Sequence, residues 1–147
     1  VWNFCFAEDA ADKQLATLQF FEQIKQGAYD IFISDMVVTE VTRAAAQKRE
    51  LLFHLMTEYH PQKLAIGDAV LELANQYLTQ GVLPKGASAD ATHAAVATVY
   101  ELDALISWNL RHLANLKKMA KINGVNSLAG YTKKLELITP LEVLNND

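Results

Sequence analysis

Three short apolar runs, each isolated between stretches of helical pattern, constrain this chain more than any other feature. They are Tyr29-Asp-Ile-Phe-Ile-Ser34, Ala104-Leu-Ile-Ser107 and Leu135-Glu-Leu-Ile-Thr139. The first is dense in aromatic and β-branched residues, and all three are strand-sized. Single strands separated by helices do not pair as hairpins. They build βαβ units, whose strands run parallel in a sheet covered on both faces. At 147 residues the chain is expected to form one domain, large enough to bury a core without staples.

The stretches between the runs read as helices, and with six Gly and three Pro there is little to interrupt them. Leu15, Leu18, Phe21 and Ile24 recur at intervals of three, and Gly27 stands where a terminating glycine belongs. Ser34 or Asp35 is expected to cap a helix over 36–47. The next, over 48–59, carries Leu51, Leu52, Leu55, Met56 and Tyr59 on one face. Asp68 opens a helix that is expected to bury Val70, Leu71, Ala74, Tyr77 and Leu78, with Gly81 just beyond it. Ser88 or Asp90 caps an alanine-rich helix running to about Glu101, whose small residues suit close packing on a sheet. A last helix is expected over 111–122, and Pro140 stops the final strand.

No apolar run approaches the ~18 residues of a membrane span, so no membrane partner is expected. Cys5 is the lone cysteine, which excludes an internal disulfide and fits a reducing, cytoplasmic setting. The start, Val1-Trp-Asn-Phe-Cys-Phe6, has no basic region before an apolar one and is not a signal peptide. It reads instead as the interior of a folded segment. Thirteen Lys and Arg against seventeen Asp and Glu give a net charge of −4, which argues against a strongly basic nucleic-acid coat. The distribution is uneven: Ala104–Leu135 holds no acid but contains Arg111, Lys117, Lys118, Lys121, Lys133 and Lys134. This stretch is either a solvated helix face or a track for an RNA backbone.

In parallel α/β sheets ligands bind at the carboxyl ends of the strands. Ser34, Asp35 and Glu40 follow the first run, and Ser107, Trp108 and Asn109 follow the second; Asp90 opens the alanine-rich helix. Each has an ordinary local explanation. Asp90 suits a helix dipole, Glu40 pairs with Arg43 one turn on, and Asn109 is a common turn residue. Ser34 and Ser107 are either caps or hydroxyls that orient a carboxylate or a metal-bound water. Trp108 is a core or dimer contact, or stacks on a base; His93 packs or caps, or touches a phosphate. Taken together, Glu40, Asp90 and Asn109 make an oxygen-only donor set, suited to Mg²⁺ or Mn²⁺. His54, His60 and His112 lack helical ligand spacing with one another or with Cys5, which argues against zinc.

The segment from Ser88 to Leu113 resembles the C-terminal half of a PIN domain: an Asp, a helix of small residues, then a strand ending in Ser-x-Asn. Ile31-Phe-Ile-Ser-Asp-Met-Val-Val-Thr-Glu40 is similar to the family's second strand and the helix bearing its Glu. Leu137-Ile-Thr-Pro-Leu-Glu-Val143 is similar to its last strand. The resemblance implies a three-layer α/β/α fold with a central parallel sheet, spanning residues 1–147. It implies a Mg²⁺- or Mn²⁺-dependent endoribonuclease, the toxin of a toxin–antitoxin pair, expected as a homodimer. Glu40 then stands as the second acid, Asp90 as the third and Asn109 in place of a fourth. Ser34 and Ser107 support them, and Arg111, Lys117, Lys118 and Lys121 meet RNA. The first acid of the pattern belongs to a strand expected just upstream of Val1. The rival reading is a PIN-like module that binds RNA or an antitoxin and cleaves nothing.

Overall fold

The computed structural model describes Trp2, residues 10–109 and residues 113–145. It is a mixed α/β chain, grouped into two compact units: Val1–Ala65 with Pro140–Asp147, and Ile66–Thr139. The strands are parallel, as the sequence pattern requires. Among the described residues they form two separate pairs.

In the first unit, α1 (Ala11–Lys25) leads to β1 (Phe32–Ser34), α2 (Asp35–Thr42), α3 (Ala46–Tyr59) and β2 (Gln62–Leu64), and α7 (Pro140–Asn145) packs back on α1. Pro140, expected only to stop a strand, also starts this helix, a position where its missing N–H costs nothing. β1 pairs in parallel with β2, Ile33 opposite Lys63. Gln62-Lys63-Leu64 carries no strand pattern of its own; β1 recruits it. Ile33, Val41, Leu52 and Met56 form one buried cluster. Beside it Phe21 packs between Trp2 and Tyr59, with ring centroids 4.9 and 4.7 Å away.

The expected helix over 36–47 ends early. The N–H groups of Arg43 and Ala44 close on the carbonyls of Thr39 and Val41, and α3 begins only at Ala46. α1 also turns a different face inward. Ala16, Thr17, Phe20 and Phe21 are buried, whereas Leu15 is 59% exposed. A spacing of three falls short of the helical 3.6, so the Leu15–Leu18 row drifts off the packed side. Leu51 and Leu71 are also exposed, and Leu73 takes the inward position expected of Leu71.

The second unit contains α4 (Asp68–Thr79), α5 (Ser88–Val99), β3 (Ala104–Ile106), α6 (Leu116–Leu128) and β4 (Glu136–Ile138). Ala91, Ala94, Ala95 and Ala97 of α5 are buried and let α4 approach closely. At the end of α4, Gly81 has φ +71°; its N–H and that of Val82 donate to the Leu78 and Tyr77 carbonyls. α5 ends by the same motif with Glu101 at φ +56°, where a side chain is strained. The Lys133 ammonium steadies it, donating to the Glu101 carbonyl at 2.9 Å and to the Asp103 carboxylate at 2.6 Å.

α6 begins five residues later than the expected 111, because the Asn115 side chain accepts the Lys118 N–H and caps the helix there. Residues 110–112 lie outside the described residues. α6 also covers β4. Its Asn123 amide donates to the Leu135 carbonyl and accepts the Leu135 N–H, at 2.8 and 2.9 Å, and the Met119 sulfur accepts the Leu137 N–H.

At the centre of this unit three polar side chains meet from three helices. The Tyr77 hydroxyl donates to Asn126 Oδ1, and Asn126 Nδ2 donates to Thr98 Oγ1 at 3.0 Å. With the phenol proton committed, the Thr98 hydroxyl is the donor in its 3.4 Å contact with Tyr77. Tyr77 is 0% and Asn126 1% exposed. Burial pushes the Tyr77 phenol up from 10 to about 12.

Two outcomes follow from these arrangements. Tyr77→Phe leaves Asn126 Oδ1 unsatisfied and is expected to cost about 1–3 kcal/mol in urea unfolding. The unfolded phenol ionises first, so the advantage of wild type over Tyr77→Phe should be full below pH ~10 and shrink as pH rises toward ~12. A difference that stays constant over that window would contradict a buried neutral phenol. Glu101→Gly removes left-handed strain and keeps the carbonyl that Lys133 holds. Its thermal midpoint should rise, reflecting about 1 kcal/mol of added stability.

Candidate functional site

The second unit brings three of the sequence-predicted residues together. Asp90 lies in the first turn of α5, where the helix dipole favours negative charge. Neither it nor Ser88 caps that helix: the N-cap position is Ala87, with no side-chain bond. Asp90 is half-buried, and its Oδ2 accepts a hydrogen bond from Asn109 Nδ2 at 2.9 Å.

Asn109 is fixed at further points. Its N–H donates to Ser107 Oγ at 3.0 Å, and its carbonyl accepts the N–H groups of Leu113 and Ala114 at 3.1 and 2.9 Å. Ser107 in turn donates its N–H to the Ile138 carbonyl, continuing the β3–β4 ladder one residue past the strand. A carboxylate, an amide and a hydroxyl therefore meet at the carboxyl end of β3, the edge where parallel sheets place ligands. Ser107 acts here by holding the turn that aims the Asn109 amide.

The remaining predicted residues belong to other elements or lie outside the described residues. Glu40 is exposed on α2, in the first unit. Ser34 occupies the N-cap of α2 without making a cap bond; it is 4% exposed, and its Oγ has no hydrogen-bond partner among the described residues. Lys117 and Lys121 are exposed on α6, while the Lys118 ammonium donates to the Val82 carbonyl at 2.9 Å. Arg111 lies outside the described residues.

One feature has no counterpart in the sequence reading. The first unit holds a cleft of about 290 Å³ whose walls include Ile33, Val38, Phe53 and Met56, with His60 and Lys63 as its basic groups. It depends on β2, which carried no strand signal.

Among the described residues no three His, Cys, Asp or Glu side chains converge on a metal position. The Asp90 cluster is nevertheless of the right chemistry for a hard divalent ion, offering carboxylate, amide and hydroxyl oxygens. Mg²⁺ is commonly held through one or two carboxylates and its own waters. No family model, curated protein or solved structure gives a significant match to the chain.

Ser34 provides a direct check. A buried hydroxyl without a partner destabilises, so Ser34→Ala is expected to leave stability unchanged or raise it by up to about 1 kcal/mol. A loss larger than that in thermal unfolding would show that the hydroxyl is paired.

Proposed function

We propose that the chain is a metal-dependent ribonuclease of PIN type, with Asp90 as its central acid. The observation that carries this reading is the Asp90–Asn109–Ser107 cluster at the carboxyl end of β3. Asp90, with Asn109 and Ser107 as neutral oxygen donors, would hold Mg²⁺ or Mn²⁺. When bound, such an ion neutralises phosphodiester charge and lowers the pKa of its water. The protein's own part is orientation. The Asn109 amide fixes one oxygen of Asp90, and the Ser107 hydroxyl fixes Asn109. An amide at position 109 also avoids the repulsion that a further carboxylate would bring.

The same hydrogen bond favours a second reading. Asn109 satisfies the Asp90 carboxylate without any ion, as suits a module that binds RNA without cleaving it.

One set of experiments separates the two. Under the nuclease reading, Mn²⁺ raises the melting temperature, by about 2.7 kcal/mol of added stability at a hundredfold excess over Kd, and Asp90→Asn abolishes the rise. Cleavage of a single-stranded RNA requires the ion and falls by roughly 100-fold or more in Asp90→Asn. RNA binding without cleavage, with a melting temperature indifferent to Mn²⁺, establishes the second reading and overturns the first.

A further inference from the structure

We propose that the chain self-associates through the open edge of β3, two copies pairing antiparallel about Leu105 so that their two-stranded sheets join into one. The pairing does not rest on the nuclease reading.

Hydrogen bonding along the β3–β4 pair fixes which way each peptide group points. The Asp103 carbonyl accepts the Glu136 N–H, and Ser107 donates its N–H to the Ile138 carbonyl. In a parallel ladder of this register residues 103, 105 and 107 face β4, and Ala104 and Ile106 direct their N–H and C=O groups to the opposite edge. There these groups have no partner among the described residues. The outer edge of β4 differs. Asn123 of α6 takes up the N–H and C=O of Leu135, and Met119 takes up the N–H of Leu137. One edge of the sheet is sealed by side chains and the other is bare.

β3 also lacks the devices that keep an edge from pairing. Ala104-Leu-Ile-Ser-Trp-Asn109 contains no charge and no proline. Its strand residues are each only half-buried, although parallel strands are ordinarily covered on both faces. The nearest charge, Asp103, is engaged by the Lys133 ammonium at 2.6 Å.

The pattern of the bare groups names the occupant. Peptide groups at alternate residues, 104 and 106, are satisfied by another strand. They are also self-complementary. When a second β3 approaches antiparallel with its Leu105 opposite this one, Ala104 of each copy faces Ile106 of the other, and each such pair exchanges both of its N–H···O bonds. The two Leu105 side chains then meet at the two-fold axis, in the closer, non-hydrogen-bonded position. Asp103 of each copy falls opposite Ser107, not opposite another acid. Because α6 seals the far edge of β4, the joined sheet cannot grow further, and the product is a closed dimer rather than a fibre. A strand of 3 residues covers far less than the ~800 Å² per partner of a stable complex, so the dimer is a weak one.

The test follows the full chain by sedimentation over a wide range of concentration, with amide hydrogen exchange read by NMR at each. A monomer–dimer equilibrium should appear. The Ala104 and Ile106 amides should exchange fast at high dilution and slow down as dimer forms, while the Ser107 amide, already bonded to Ile138, stays slow throughout. Ala104→Pro removes an outward N–H from each copy and none from the β4 ladder. It should raise the dimer Kd by about tenfold or more and leave the melting temperature of the dilute monomer little changed. Leu105→Lys and Leu105→Glu should each be monomeric alone and pair when mixed, which a merely destabilised variant cannot do. A chain that stays monomeric, assemblies that keep growing past the dimer, or a dimer untouched by Ala104→Pro would overturn the proposal. Slow exchange of Ala104 and Ile106 in the dilute monomer would show the edge occupied within the chain. Folded Leu105 variants that fail to pair on mixing would place the interface elsewhere. Either result would also overturn it.

Discussion

A phenol, an amide and a hydroxyl, each from a different helix and all buried, form the triangle on which the second unit depends. Apolar packing tolerates small slips of one helix on another, but this triangle does not. If Tyr77, Thr98 or Asn126 moves by half a turn, a buried polar atom loses its partner, at about 1–3 kcal/mol each. The triangle therefore sets the register of α4, α5 and α6 more narrowly than their alanines and leucines alone. It also sets what each helix shows to the outside. With Ile122 and Asn126 turned inward, α6 must present Leu116, Lys117, Lys121 and Leu128 outward. With Thr98 fixed near its other end, α5 delivers Asp90 to the carboxyl edge of β3.

The small sheet of this unit is completed by side chains. A two-stranded parallel pair has few ladder bonds, and each of its edges leaves backbone groups to satisfy. At the residue just before β4, the Asn123 amide imitates a neighbouring peptide by both donating to and accepting from Leu135, and on β4 the Met119 sulfur takes the Leu137 N–H. Met119, Asn123 and Asn126 all belong to α6. One helix thus closes the edge of the sheet and holds the polar centre.

Features that depend on local chemistry were legible in the sequence. Gly27 and Gly81 mark helix ends because left-handed backbone favours glycine, and both adopt positive φ. The runs before Ser34, Ser107 and Thr139 became strands because residues of their kind need a sheet to bury them. Features that depend on a distant partner were not legible. Gln62–Leu64 is a strand only because β1 lies beside it. Glu101 ends α5 without glycine because Lys133, more than thirty residues later, supports its carbonyl. The inward face of α4 was not legible either, because leucines occur on both its sides, Leu71 outward and Leu73 inward, and hydrophobicity alone does not rank them. In the candidate site, the positions of Asp90, Ser107 and Asn109 at the end of β3 followed from pattern. The bond that joins Asp90 to Asn109 did not, because its partners lie nineteen residues apart on different elements.

That bond turns on the identity of residue 109. A carboxylate in place of the amide would set two negative charges about one hydrogen-bond length apart. Such pairs stay together only by sharing a proton or a cation. Asparagine reverses the sign of the contact: the group that would have repelled Asp90 donates a hydrogen bond to it. The turn is then stable by itself, with Asn109 held through its N–H, its carbonyl and its side chain. A cluster of acids needs an ion in order to form. The Asp90–Asn109 pair forms without an ion, because no repelling groups have to be drawn together. The amide makes the geometry of the cluster a property of the fold.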